Sequence, residues 1–214
     1  DRSPSRGLGD VYKRQAWQGV WDIAAKGWGP FVSAASLGMD AVHPIPTRAT
    51  NTVLGAARSI VGADRVPLLS KELPAGGRRR SSGHRRGPVG RPEVVYLPAC
   101  VNTMFGSAVS REETLEFSVL SLLAAAGVGV TVPQGIEAVC CGTPWKSKGM
   151  TTGYATMRRR VVDIMQEATH DGELTVISDA VSCSEGFVHE LEYEGVTGIR
   201  IVDACLLYTS DAAD

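Results

Sequence analysis

The stretch "ELTVISDAVSCSEGFVHELEYEG", Glu173 to Gly195, decides the fold. It opens on a β-branched, apolar run, "ELTVISDA", which reads as a strand. It continues as "SEGFVHELEYEG", a short helix that closes at Gly195. Cys183 stands between the two, at the carboxyl end of the strand and the start of the helix. A strand that runs directly into a helix is half of a βαβ unit, and the rest of the chain after Pro92 repeats the pattern.

Working outward, "EVVYLPA" (Glu93 to Ala99) is a strand and is followed at once by Cys100. "SREETLEFSVLSLLAAAG" is a helix, for which Ser110 and Glu113 offer a capping box and Gly127 a stop. "VGVTVP", Val128 to Pro133, is a short strand. The segment around Cys140, Cys141 and Gly142 reads as a loop. "TTGYATMRRRVVDIMQEATH" is an amphipathic helix with Tyr154, Met157, Val161, Ile164, Met165 and Ala168 on or near one face. "GIRIVDA" is the last strand. Strands separated by helices predict an α/β fold with a mainly parallel sheet built from βαβ units. In such sheets ligands bind beyond the carboxyl ends of the strands.

Before Pro92 the texture differs. Trp17, Val20, Trp21 and Ala24 recur at helical spacing, and "TNTVLGAARSIVG" (Thr50 to Gly62) reads as a second helix, with "HPIPT" breaking the pattern between them. Residues 16–74 are therefore expected to be a helical segment whose apolar faces pack on neighbouring protein. Residues 75–92, "AGGRRRSSGHRRGPVGRP", read as a basic, flexible linker carrying Arg78, Arg79, Arg80, His84, Arg85, Arg86 and Arg91. No aromatic residues interleave for base stacking, and the net charge of the chain is −1, so no nucleic-acid partner is expected. No apolar run reaches the ~18 residues needed to span a bilayer.

The two ends read as something other than protein design. "DVYKRQ", Asp10 to Gln15, back-translates with permitted codons to GATGTGTATAAGAGACAG, and "CLLYTS", Cys205 to Ser210, to TGTCTCTTATACACATCT. Apart from a base at each edge these are reverse complements, as one sequencing adapter read through at both ends would be. Residues 1–15 and 205–214 are accordingly expected to be translated scar, which leaves residues 93–204 as a truncated cysteine-rich α/β domain. Cys205 drops out of the reckoning, and Cys100, Cys140, Cys141 and Cys183 remain.

Cys100 and Cys183 each follow a strand, and Cys140–Cys141 lies in the loop after another. The four thiols can thus meet at one edge of the sheet despite their wide spacing, a pattern that suits zinc or an iron–sulfur group. Structural zinc sites usually carry ligand pairs two to four residues apart, and none is present here. Gly142 can give the backbone clearance or a positive φ. Lys146 and Lys148 add charge that favours thiolates. His43, His84, His170 and His189 show no ligand spacing and read as surface or linker residues. A redox-active disulfide is a further option for the cysteines.

"VVYLPACVNTMFG", "CCGTPWKSKGM" and "SDAVSCSEG" together resemble one half of the cysteine-rich CCG domain. That domain occurs in the heterodisulfide reductases and in the iron–sulfur component of glycolate oxidase. The likeness is greatest to the C-terminal part of FAD- and iron–sulfur-containing D-lactate dehydrogenases, and "VPLLSKELP" (Val66 to Pro74) resembles the segment before their cysteine-rich domain. The general pattern ends in Cys-x-x-Cys; here Ala180 holds the first place, a loss those fused dehydrogenases share. The resemblance implies an electron-transfer fragment in which Cys100, Cys140, Cys141 and Cys183 ligate an iron–sulfur cluster, of 4Fe–4S type in the family, with Gly142, Lys146 and Lys148 beside it. It implies FAD in an upstream domain, ferredoxin-type domains in the same parent chain, a second CCG half, and a membrane quinone or cytochrome acceptor. The substrate class would be D-2-hydroxy acids such as D-lactate, oxidised elsewhere in the parent protein. The location it implies is cytoplasmic, including the inner face of the plasma membrane. Rival readings are a structural or docking module with vestigial cysteines, and a thiol–disulfide module of the heterodisulfide reductase type with its chemistry at Cys140–Cys141.

Overall fold

The computed structural model describes residues 18–62, 66, 68–80, 82–85, 92–107 and 113–205. Within them five strands form one sheet: β1 (Gly83–Arg85), β2 (Val94–Leu97), β3 (Val130–Val132), β4 (Thr175–Ser178) and β5 (Ile201–Asp203), in the order β1-β3-β2-β4-β5. Strands β2 to β5 run parallel, with Val95 paired to Thr131 on one side and to Val176 on the other. β1 is an antiparallel edge strand on β3. The strands are short and almost wholly apolar because helices cover both faces; Val95, Tyr96, Val176 and Ile177 are fully buried.

The helices are α1 (18–26), α2 (Trp28–Val42), α3 (Thr47–Val61), α4 (Val101–Met104), α5 (Leu115–Ala125), α6 (Thr143–Lys148), α7 (Thr151–Thr169) and α8 (Val181–Tyr193), with a 3-10 turn at Ile136–Ala138. The chain leaves β2 through α5 to reach β3, then crosses back through α7 to β4 and on through α8 to β5. Right-handed crossovers then place α5 on one face and α7 and α8 on the other. β2 and β4, where the direction of winding reverses, flank the topological switch point of a doubly wound sheet. The α/β parallel architecture read from the sequence is the architecture observed. Among the described residues no helix is long and apolar enough to cross a membrane.

Three details differ from the sequence reading. The cap of α5 is Thr114, whose hydroxyl accepts from Phe117 N at 3.1 Å; Ser110 lies outside the described residues. The segment after Gly142 is helical (α6), entered through Gly142 at φ +70° and left through Gly149 at φ +67°. The largest difference concerns residues 75–92, read as a flexible linker. Ala75 to Arg80 is tied to the fold: Gly76 N donates to Asp40 Oδ1 at 3.0 Å, Ser36 Oγ donates to Gly77 O at 2.8 Å, and Arg80 is buried. His84 sits within β1. A backbone that reaches partners of its own folds whatever its composition suggests.

The helical segment is likewise part of the same body. Trp145 of α6 is fully buried, lies 4.8 Å from Trp28 and 5.7 Å from Trp21 in edge-on geometry, and donates its indole N–H to Trp21 O at 2.9 Å. Arg160 of α7 donates to Ala25 O at 2.7 Å and Lys26 O at 3.0 Å, closing the C-terminal end of α1. Such charge-assisted bonds to orphan carbonyls bind helix ends that water would otherwise solvate. We predict that Thr114→Ala destabilises the chain by about 1 kcal/mol through loss of the α5 cap. Urea denaturation checks this, and an unchanged midpoint would refute the assignment.

Candidate functional site

Four cysteines are buried and meet where the carboxyl ends of β2, β3 and β4 come together. Cys100 is the N-cap of α4, just past β2. Cys183 lies in the first turn of α8, just past β4. Cys140 and Cys141 lie on the extended segment between the 3-10 turn and α6. Gly186, one turn along α8 from Cys183, has no room for a Cβ, which would meet Cys141 Cβ at 2.9 Å and Cys141 O at 2.8 Å. That close approach of α8 to the Cys140–Cys141 segment is what brings the far-separated sulfurs together.

The sulfurs form a connected chain. Cys100 Sγ and Cys140 Sγ are 3.6 Å apart, Cys140 and Cys141 share hydrogen-bonding contact, and Cys141 is bonded in turn to Cys183 and to the Thr143 hydroxyl at 3.3 Å. The chain splits the four groups into two kinds. The hydrogen bond with Cys140 pulls Cys100 below the usual thiol range, against the burial that opposes it. Hydrogen bonds with Cys140, Cys183 and Thr143 pull Cys141 far below that range. Hydrogen bonds to those neighbours, and burial with them, push Cys140 and Cys183 up.

The cation at the sulfurs is Arg80. Its guanidinium donates to Pro98 O (3.2 Å), Glu137 O (3.2 Å) and Val139 O (2.8 Å), so it is held by the backbone just ahead of Cys100 and of Cys140. Burial lowers its pKa, and the negative charge of Cys100, Cys140 and Cys183 works against that. The lysines expected in this role lie elsewhere. Lys146 and Lys148 are exposed in the last turn of α6, and Lys148 Nζ sits 5.3 Å over the Trp21 ring. A helix C-terminus attracts lysines on its own account, so the spacing carried no information about the sulfurs. Gly142 does take a positive φ. A Cβ there would come within 2.6 Å of the Tyr154 ring and would also strike Glu190, so the room it leaves is used by α7 and α8.

Three further side chains were not foreseen. Asp179, directly after β4, accepts from Tyr96 Oη (2.8 Å), Ala99 N (2.8 Å) and Asn102 Nδ2 (2.9 Å). It thereby locks the Cys100 loop to the end of β4, just ahead of the helix that carries Cys183. Burial raises its pKa, and the three donors counter that. An Asp at a strand end was the only available signal, and by itself it reads as turn chemistry. Trp28 is buried with no hydrogen-bond partner for its Nε1, and it faces Cys100 closely enough to favour that thiolate. Glu190 is fully buried on α8, its two carboxylate oxygens without hydrogen-bond partners. Burial lifts its pKa to about 9, and the negative charge at Cys141 adds to that.

Among the described residues, no three His, Cys, Asp or Glu side chains surround one point as a single-ion site requires. What fits an iron–sulfur group is the chemistry of the donor set: four buried thiols beside a fixed cation. The chain has no match among protein-family models, curated proteins or solved structures.

Two outcomes follow from this geometry. Asp179→Ala leaves Ala99 N and Asn102 without their acceptor and destabilises the metal-free chain by about 3 kcal/mol, against about 1 kcal/mol for Asn102→Ala; equal losses in urea denaturation would refute the lock. The second concerns Glu190, which faces Cys141 from the loop, Arg158 and Tyr154 from α7 and Lys146 from α6. Its folded-state pKa is raised, so the native state binds more protons than the unfolded chain between roughly pH 4.5 and 9. Its contribution is complete below that window and is lost as the pH rises through it. The metal-free Glu190→Gln variant is expected to lose less stability than wild type between pH 5 and pH 9; parallel stability curves would contradict this.

Proposed function

We propose that this chain is an electron-transfer fragment of an FAD-dependent D-2-hydroxy acid dehydrogenase, with Cys100, Cys140, Cys141 and Cys183 as ligands of an iron–sulfur cluster. One observation carries the reading: four thiols separated by up to 83 residues in sequence are buried together at the switch point of the sheet. A lone strand-end cysteine is ordinarily a small buried hydrophobe; four of them in one connected chain, with a buried arginine against them, are not explained so. The resemblance of "PACVNTMFG" and "CCGTPWKSKG" to the CCG domain supports the same conclusion.

When bound, an iron–sulfur cluster supplies a one-electron carrier whose potential depends on its charge, hydrogen bonds and exposure. The residues of the chain do the rest. The four cysteines would ligate as thiolates, giving up whatever protons they hold, and the hydrogen bonds that lower Cys100 and Cys141 favour that at those two. Arg80 offsets the negative charge. Trp28, Trp145 and Met150 belong to the same buried apolar cluster as the four cysteines. In the parent protein the electrons would come from reduced flavin by way of ferredoxin-type clusters, and would leave towards a membrane quinone or cytochrome with a second CCG half alongside.

The 3.6 Å approach of Cys100 and Cys140 favours one second reading, a thiol–disulfide pair. Anaerobic reconstitution with ferrous iron and sulfide, followed by iron and sulfide analysis, separates the two. Bound iron and sulfide that Cys141→Ser abolishes are expected. No uptake, or uptake unaffected by Cys141→Ser, sinks the cluster; no uptake together with reductant-dependent alkylation of Cys100 and Cys140 selects the disulfide.

A further inference from the structure

We infer that Arg80 is a fixed cationic member of the sulfur centre, a positioning residue that sets the reduction potential of the group the four cysteines ligate. The inference rests on the iron–sulfur reading and names the residue that regulates it.

Arg80 comes from the basic run whose composition suggests a solvated linker, yet only 7% of it is exposed. A buried guanidinium cannot shed its proton, so its charge must be answered where it lies. Carbonyl oxygens of Pro98, Glu137 and Val139 take up Nη1 and Nη2. These dipoles orient the fork but carry no net charge. Nε is buried and has no hydrogen-bond partner. The orphan N–H and the uncompensated charge are both features of a group completed by something negative. The sulfurs are that something: Pro98 is two residues before Cys100, Val139 is the residue before Cys140, and sulfur at Cys100, Cys140 or Cys183, once ligation ionises it, favours the guanidinium ahead of Glu137.

The geometry also fixes the direction of the effect. A cation near the centre stabilises the state with one more electron, and so raises the potential. Because the cation is buried, dissolved salt screens it little, whereas the exposed Lys146 and Lys148 are screened. The position is rigid as well. Ala75 to Arg80 is anchored at Gly76 and Gly77 by Asp40 and Ser36 of α2, so the charge arrives with the packing of the helical segment.

A purely structural arginine would cap the same three carbonyls without touching the potential. The full chain, reconstituted with ferrous iron and sulfide, is compared as wild type, Arg80→Gln and Arg80→Lys by spectroscopically monitored redox titration, at low and high salt. Gln keeps a hydrogen-bond donor for the carbonyls and removes the charge; Lys keeps the charge. Arg80→Gln is expected to bind iron with a lower potential at both salt concentrations, and Arg80→Lys to stay near wild type. An unchanged potential in Arg80→Gln, or an equal fall in both variants, overturns the inference and leaves the cluster reading standing. Failure of the wild type to take up iron overturns both. Should Arg80→Gln not fold, Arg80→Lys decides: a wild-type potential with a lowered melting temperature is expected, and a displaced potential is contrary.

Discussion

At the carboxyl edge of the sheet a single carboxylate holds two loops in register. Asp179 accepts three hydrogen bonds from the β2 strand and the loop that follows it, while its own backbone leads into the helix that carries Cys183. The strands themselves are paired to their ends, but the connections that leave β2 and β4 run to opposite faces at the switch point, and this tie holds their first residues together. With it, Cys100 and Cys183 face the same space. The Cys140–Cys141 segment closes that space because Gly186 lets α8 come down onto it.

The charge in this space is balanced by burial rather than by solvent. Four buried cysteines, one guanidinium and one buried carboxyl whose pKa burial raises lie within a few side chains of one another. Each would be costly alone. Three backbone carbonyls hold Arg80, and burial favours the protonated form of Glu190. The helical segment completes the arrangement, since Trp21 and Trp28 pack against Trp145 and the chain leading to Arg80 is bonded to α2. The site is therefore made by the whole described chain and not by the cysteine-bearing half alone.

Much of the fold was legible because its signals are local. "VVYL", "VTV" and "TVIS" are short apolar runs that only a sheet covered on both faces accommodates, and α7 declares itself through Met157, Val161 and Met165 at helical spacing. The cysteines were legible too, because the ends of parallel strands share an edge. Arg80 was not. It stands in "AGGRRRSSG" beside two other arginines, and nothing local distinguishes the one whose backbone crosses the site. Lys146 and Lys148 follow Cys141 by five and seven residues, and α6 leaves both exposed in its last turn.

Read by itself, the chain determined an α/β architecture, the strands and helices of its second half, and the four sulfurs that could meet. Periodicity, turn residues and strand-end position are properties of neighbouring residues, and they survive without a structure. Only the tertiary structure decided which residues lock the loops, and that Ala75 to Arg80 of the expected linker are tied to the fold. Those are contacts between residues 18 to 135 positions apart. They depend on backbone carbonyls and close-packed glycines whose partners no local pattern encodes.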